Sequence, residues 1–309
     1  MKKFRYSLEK YSGPGSRHAC PNCGAKGKFS RYVDNYTGEH LHEEVGRCNR
    51  ENTCGYHFKP KDYFRTTGTR PPSVAAPDKN MQAPKPPSYI KPSMMAKSMR
   101  AYRKNTLAIF LADRFGEQKA WELLKRYNVG TSRHWPGATV FWQVDSEGRV
   151  RTGKVMLYDA QTGKRVKEPF NHIQWAHRLL GKSNFHLRQC LFGEHLLNVE
   201  PGKPVAVVES EKTALIASAF YPEFVWLACG GASHLSPERC LALKGREIIL
   251  VPDKDKFHTW VEKARKLEES LSSKVRISKC LEGIATGKER EKGWDIADYL
   301  LNGTSNLII

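Results

Sequence analysis

Four cysteines near the start of the chain have the spacing of metal ligands. They are Cys20, Cys23, Cys48 and Cys54. Two residues separate the first pair and five separate the second, with 24 residues between the pairs. Two such pairs on separate turns can coordinate zinc tetrahedrally through thiolates. Since the gap of five is wider than usual, His42 and His57 remain alternative ligands, and buried thiols without metal remain a second interpretation.

The segment between the cysteine pairs predicts a β-hairpin. Residues 28–33 and 41–47 read as strands around a turn that ends at Gly38. We therefore expect a zinc ribbon over residues 1–65, too small to hold a core without the metal. The aromatic residues of the hairpin, Phe29 and Tyr32 among them, either contact nucleic acid bases or only cover this small core.

The chain is strongly basic, and its positive charge is unevenly distributed. Its 309 residues include 51 Lys or Arg and 32 Asp or Glu, a formal charge of +19. Residues 1–100 hold 19 basic and 8 acidic side chains, residues 101–200 hold 16 and 9, and residues 201–309 hold 16 and 15. A basic part followed by a nearly neutral part favours a polyanionic partner for the former and chemistry in the latter. The alternative is a generally basic surface without a specific partner.

A proline-rich, basic linker is expected over residues 66–92, where seven prolines and little apolar periodicity predict an extended tether. We find no apolar run of membrane-spanning length and no secretory signal at the start, so we expect a cytoplasmic protein with no membrane partner.

Residues 93–200 predict a mixed α+β subdomain that binds template. Residues 93–130 read as helical, and a strand meander follows from residue 138. Polar positions of this meander carry basic side chains, which suit contact with a nucleic acid backbone or a nucleotide. They are Arg149, Arg151, Lys154, Lys164 and Arg165. The alternative is an ordinary sheet face exposed to solvent. Residues 181–183 (GKS) resemble the end of a phosphate loop, but position 176 is Ala where that loop needs Gly, so no ATP-driven motor is expected.

Carboxylates follow the predicted strands of the last third, residues 201–309. Short apolar strands alternate there with helices, which predicts a parallel sheet flanked by helices and an α/β fold. Glu209 follows the first strand, and Asp253 and Asp255 follow the third. Because ligands gather at the carboxyl ends of parallel strands, the three are expected to meet and bind Mg²⁺ or Mn²⁺. The alternative is neutralisation by nearby lysines, namely Lys212, Lys254 and Lys256.

The same residues resemble a known family. Residues 207–214 (VVESEKTA), the glycine pair 230–231 and residues 250–255 (LVPDKD) resemble the Toprim domain of topoisomerases and primases. The order of ribbon, linker, basic subdomain and Toprim-type domain is similar to DnaG-type bacterial primases and their phage and mobile-element relatives. Residues 293–300 (GWDIADYL) resemble the late acidic motif of the family, which implies Asp295, and secondarily Asp298, as a further metal ligand. The family often has Asp four residues after the Glu, where this chain has Thr213.

The resemblance implies metal-dependent synthesis of short RNA primers on single-stranded DNA from nucleoside triphosphates. It implies that Glu209 acts as a general acid/base or metal ligand, and that Asp253 and Asp255 hold catalytic magnesium or manganese. The five basic residues above, together with Lys212, would contact template or nucleotide, and a separate replicative helicase is an expected partner. Alternatives are a Toprim-type nuclease and a non-catalytic DNA-binding accessory protein of recombination or replication.

Overall fold

The structure is a computed structural model that describes residues 4–50, 53–69, 85–181, 184–282, 284, 294–304 and 307–309. The side chains of Ala232 and Asp255 are also outside the described part. Most of the predicted linker, residues 70–84, and the lysine and serine of the rejected phosphate loop lie outside the described residues. The chain divides into two compact units, residues 1–83 and 84–309.

The first unit is a three-stranded antiparallel sheet followed by one helix. Its elements are β1 (Tyr6–Leu8), β2 (Phe29–Asp34), β3 (Gly46–Cys48) and α1 (Pro60–Thr67). Strand β2 pairs with both others, so the predicted hairpin is present and gains β1 as a third strand. The buried cluster of the unit consists of Cys20, Phe29 and Cys48. Phe29 therefore belongs to the core, and two of the three side chains of that cluster are thiols.

The second unit opens with three helices. They are α2 (Pro92–Ser98), α3 (Thr106–Phe115) and α4 (Glu117–Arg126). The side chain of Asn105 caps α3 by accepting a hydrogen bond from the Ala108 amide at 3.1 Å. The helical region ends at Arg126, earlier than the predicted residue 130, because Asn128 has a positive φ and the chain turns into a strand.

Four antiparallel strands then form a meander. They are β4 (Val129–Thr131), β5 (Thr139–Val144), β6 (Val150–Met156) and β7 (Ile173–Trp175), and they lie in that order in the sheet. Ile90, in the predicted linker, is buried and forms a bridge with Val150, so the end of that segment is part of the second unit. The predicted domain boundaries otherwise stay predictions.

The last third contains a parallel sheet with helices, which confirms the predicted fold class. Its strands are β8 (Val205–Val208), β9 (Val225–Ala228), β10 (Ile248–Leu250) and β11 (Val275–Ile277). Two short helices, α5 (Ala176–Leu179) and α6 (Leu196–Val199), precede this region, and its own helices are α7 (Glu211–Phe220), α8 (Phe257–Leu271) and α9 (Ile296–Leu301). Strands β8, β9 and β10 are buried throughout, as expected for a sheet covered on both faces.

The strand order of the parallel sheet is β11-β10-β8-β9. The chain leaves β8 through α7 to reach β9 on one side, and it leaves β10 through α8 to reach β11 on the other side. The adjacent strands β8 and β10 therefore form a topological switch point, where a crevice opens at the carboxyl ends of the strands. In the described part of the chain, no helix is long and apolar enough to cross a bilayer.

Candidate metal and nucleotide sites

The four predicted cysteines converge in the first unit. Their Sγ atoms all lie within 4.8 Å of one another. Cys20 Sγ is 3.8 Å from Cys54 Sγ, and Cys23 Sγ is 4.0 Å from Cys48 Sγ. With Zn–S bonds of about 2.3 Å, tetrahedral geometry places sulfur atoms about 3.8 Å apart. The cluster therefore fits a structural zinc ion.

The surroundings of Cys54 favour the thiolate form that zinc requires. Asn22 Nδ2 donates to Cys54 Sγ at 3.5 Å, and this bond together with the Tyr56 amide lowers the pKa of Cys54 to about 6. The alternative histidine ligands have other partners, since the His57 ring pairs with the Tyr32 hydroxyl at 2.9 Å and His42 Nδ1 accepts from the Glu44 amide. The four cysteines therefore stay the predicted ligand set, in preference to either histidine.

Glu209 and Asp253 lie at the switch point of the parallel sheet. Glu209 is the first residue after β8, and Asp253 is the third after β10. The two strands are in register there, because the Val251 amide donates to the Val207 carbonyl at 2.9 Å. Two carboxylates far apart in sequence therefore follow neighbouring strands at one edge of the sheet.

Glu209 has a buried carboxylate oxygen that lacks a donor. Its Oε2 atom is inaccessible to solvent and has no hydrogen-bond partner among the described residues. Buried carboxylate oxygens are costly unless a donor or a cation contacts them. Magnesium binds one or two carboxylates together with phosphate oxygens, so Glu209 fits a ligand of such an ion.

Lys254, between the two aspartates, turns away from the carboxylates. Its Nζ atom donates to the backbone carbonyls of Leu281 at 2.7 Å and Glu282 at 3.1 Å. Lys212 Nζ similarly donates to the carbonyl of Gly163 at 3.3 Å. Two of the three lysines proposed as neutralising partners therefore donate to backbone carbonyls, although the positive charge of Lys212 still acts on Asp298.

The described carboxylates do not form a complete metal cluster. Glu209, Asp253 and Asp295 do not come together as a group within 4.8 Å in the described part of the chain, which excludes the side chain of Asp255. A divalent ion at the switch point therefore requires Asp255 or a closer approach of these carboxylates on binding. Their assignment as ligands stays a prediction.

Asp295 is held by two hydrogen bonds at the start of α9. Thr213 Oγ1 donates to Asp295 Oδ2 at 2.5 Å, and the Asp298 amide donates to Asp295 Oδ1 at 3.1 Å. Asp298 returns the contact by accepting from the Asp295 amide, which completes a capping box. Burial and the neighbouring charge of Asp295 raise the pKa of Asp298. Thr213, where the family often has Asp, thus fixes the orientation of Asp295.

Glu211, two residues after Glu209, was not among the predicted site residues, although it lies beside the switch point. Its side chain is 2% exposed, and Oε2 accepts from Lys154 Nζ at 3.2 Å. Lys154 Nζ also donates to the Gly230 carbonyl at 3.1 Å. Gly230 has a φ of 78°, and a Cβ atom there would lie 3.1 Å from Glu211 Oε1. Gly230 therefore lets the loop after β9 approach this buried ion pair.

Acidic side chains partly neutralise the basic residues that were predicted on the meander. Arg149 Nε and Arg151 Nε donate to the same atom, Asp145 Oδ2, at 2.9 and 2.6 Å, and Arg149 also pairs with Glu147. Both guanidinium groups lie over the ring of Tyr89. Burial alone would raise the pKa of Asp145, but the hydrogen bonds from the two arginines lower it overall. The predicted set of basic residues begins at Arg149, so it does not take into account Asp145 and Glu147, the acidic partners that come just before it in the sequence.

The two arginines line a polar cavity of about 330 Å³. Gln189 and Arg239 also line it. Arg151 Nη1 and Gln189 Nε2 are buried donors without a hydrogen-bond partner in the described residues. A ligand with acceptor oxygens would satisfy them. Lys164 and Arg165 lie elsewhere, exposed in the turn after β6.

Comparisons with known proteins agree with these features. Residues 4–69 match a family described as "Zinc beta-ribbon finger, putative", which confirms the predicted ribbon, and residues 105–254 match a "Domain of unknown function (DUF6371)". No curated protein matches the chain.

Solved structures that are similar to the chain include several primases. The primase fragment of the bacteriophage T7 primase-helicase is 18% identical, with 93% of this chain and 95% of that chain covered and a TM-score of 0.42. The zinc-binding and RNA polymerase domains of the Aquifex aeolicus primase are 12% identical, covering 97% and 78%, with a TM-score of 0.42. The RNA polymerase domain of Mycobacterium tuberculosis DnaG is 16% identical, covering 69% and 78%, with a TM-score of 0.44. Because these scores are below 0.5, we base function on the residues of this chain.

Proposed function

We propose that the chain is a DNA primase that synthesises short RNA primers on single-stranded DNA from nucleoside triphosphates. The main observation is that Glu209 and Asp253 lie at the carboxyl ends of the adjacent strands β8 and β10, and that the buried Glu209 Oε2 atom has no donor among the described residues. The Toprim-type motifs and the preceding zinc ribbon support the same assignment.

Glu209, Asp253 and Asp255 would hold magnesium or manganese at the switch point, with Asp295 as a further candidate. When bound, such an ion would supply Lewis-acid activation of a 3′ hydroxyl and charge stabilisation for the departing pyrophosphate. In each addition, the 3′ oxygen bonds to the α-phosphorus of the incoming nucleotide, and the bond to pyrophosphate breaks. A Glu209 carboxylate oxygen that does not bind the metal would accept the hydroxyl proton.

Basic residues of the second unit would contact the anionic substrates. Arg151 and Gln189 present buried donors to a polar cavity, and they suit phosphate oxygens of nucleotide or template. Lys164 and Arg165 are exposed and Lys212 is partly exposed, which suits contacts to a nucleic acid backbone. Lys154 is already paired with Glu211, so we propose that it positions the loop at Gly230 beneath the nucleotide.

The ribbon would help to select the start site on the DNA, and a separate helicase would supply the single-stranded template. The resemblance to DnaG-type primases supports both of these roles.

Primer synthesis by the full-length chain tests the proposal. We would incubate it with single-stranded DNA, four ribonucleoside triphosphates and Mg²⁺, and resolve labelled products on a gel. The wild type should make short RNA. Glu209→Gln and Asp253→Asn should each reduce the yield by about 100-fold or more, because they weaken metal binding and remove a proton acceptor. Glu223→Gln, on the exposed turn after α7, is the matched control.

Other outcomes would contradict the proposal in distinguishable ways. Degradation of the DNA that depends on Glu209 would indicate a nuclease. DNA binding without any nucleotide incorporation, unchanged in Glu209→Gln, would indicate an accessory protein. RNA synthesis that survives both substitutions would refute the assignment of the site.

A further inference from the structure

A second group of metal-ligating side chains lies in the first unit, apart from the four cysteines. Glu9, His18 and His40 each present one donor atom, and the three atoms lie within 4.8 Å of one another. Glu9 Oε2 is 3.0 Å from His40 Nε2 and 3.6 Å from His18 Nε2. The two imidazole rings meet edge to face at 5.2 Å between centroids. We infer that these three residues form a second site for a divalent transition metal, with zinc as the expected ion.

The spacing suits a tetrahedral ion. Bonds of about 2.0 to 2.2 Å from zinc to imidazole nitrogen and carboxylate oxygen place neighbouring donors about 3.3 Å apart. The two measured distances, 3.0 and 3.6 Å, lie on either side of that value. Two histidines and one carboxylate supply three ligands and leave the fourth position for water.

An ordinary ion pair does not account for His18. Its Nε2 atom is inaccessible to solvent and has no hydrogen-bond partner among the described residues, and 3.6 Å from Glu9 is too long for a hydrogen bond. A buried ring nitrogen without a partner is unfavourable. A metal between His18, His40 and Glu9 would satisfy this nitrogen, and the glutamate would offset part of the ionic charge.

The three ligands come from separate segments that the sheet brings together. Glu9 directly follows β1, His18 forms a bridge with Phe29 of β2, and His40 forms a bridge with Val33 of the same strand. A bound ion would therefore tie the first strand to the ribbon, where the core is small. This inference concerns the ribbon alone and is independent of the proposed primer synthesis.

Metal content of the full-length chain tests the inference. The protein would be equilibrated with excess Zn²⁺ and desalted, and bound zinc per chain would be measured by elemental mass spectrometry. We expect two zinc ions for the wild type, one for His40→Ala, and two for His42→Ala, the matched control in the same hairpin. Glu9→Gln, which keeps the shape of the side chain, should also bind one.

Cobalt distinguishes the two sites. Co²⁺ at four thiolates gives strong sulfur-to-metal charge-transfer bands, whereas Co²⁺ at imidazole and carboxylate gives only weak visible bands. His40→Ala and Glu9→Gln should lose one equivalent and keep the charge-transfer bands. One equivalent in the wild type, or two retained in both variants, would refute the second site. Loss of the charge-transfer bands in both variants would also refute it, because the three residues would then be needed for ribbon folding only.

Discussion

Lys154 and Glu211, 57 positions apart, form a buried ion pair, with Nζ 3.2 Å from Oε2. The lysine is on β6 of the meander, and the glutamate is the first residue of α7 beside the parallel sheet. Lys154 also donates to the Gly230 carbonyl in the loop after β9. One cation therefore links three elements at the carboxyl edge where the catalytic carboxylates are proposed.

Removing one partner of this pair should be strongly destabilising. In Lys154→Met, Glu211 would retain a buried charge without a cation, which costs about 3–5 kcal/mol of unfolding free energy. The double variant Lys154→Met/Glu211→Leu should recover much of this loss. Urea denaturation measures the values. Arg276→Met breaks the exposed pair with Glu247 and should cost less than about 1 kcal/mol. Equal effects in the two single variants would contradict the prediction.

The hydrogen bond from Thr213 to Asp295 should contribute to stability. Thr213→Val keeps the shape of the side chain and removes a donor to a carboxylate, which should lower the unfolding free energy by about 2 kcal/mol. Thr259→Val, at an exposed position of α8, is the control and should change it little. Denaturant titration of the three chains checks this, and an unchanged midpoint in Thr213→Val would show that the bond is not formed in solution.

Glu194 should make stability fall as pH rises from about 4.5 to about 7. Burial raises the pKa of Glu194 to about 7, so the folded chain retains a proton that the unfolded chain releases above about 4.5. The full effect is about 3 kcal/mol, complete above pH 7. His177 and His195, whose pKa values burial lowers, contribute the opposite slope. The measurement is therefore the difference between wild type and Glu194→Gln, which should lack this fall. Parallel pH profiles would contradict the prediction.

Cys48→Ser should unfold the ribbon and leave the second unit folded. Cys48 is fully buried in the core of the first unit, and its loss removes one of four zinc ligands. We expect loss of the sulfur-bound zinc, rapid proteolysis within residues 4–69, and a resistant fragment that begins near residue 84. Cys280→Ser, in the second unit and outside both metal clusters, is the control. A protease-resistant ribbon in Cys48→Ser would contradict the prediction.

Local patterns in the sequence determined the metal ribbon and the parallel sheet. The spacing of four cysteines and the alternation of apolar strands with helices are short-range features that can be read directly from the sequence. The same alternation placed Glu209 and Asp253 at strand ends. Strands β1 and β7 were not predicted, because both lie outside this alternation of apolar strands and helices.

Only the tertiary structure decided which charges remain available and which groups meet. Lys154 was predicted to contact nucleotide, and in the structure it is paired with Glu211, while Asp145 forms ion pairs with both Arg149 and Arg151. The contacts from Thr213 to Asp295 and from Glu9 to His40 span 82 and 31 positions. Such partners are set by the packing of whole elements, since hydrophobic periodicity specifies which face of a strand is buried but not which distant side chain lies opposite it.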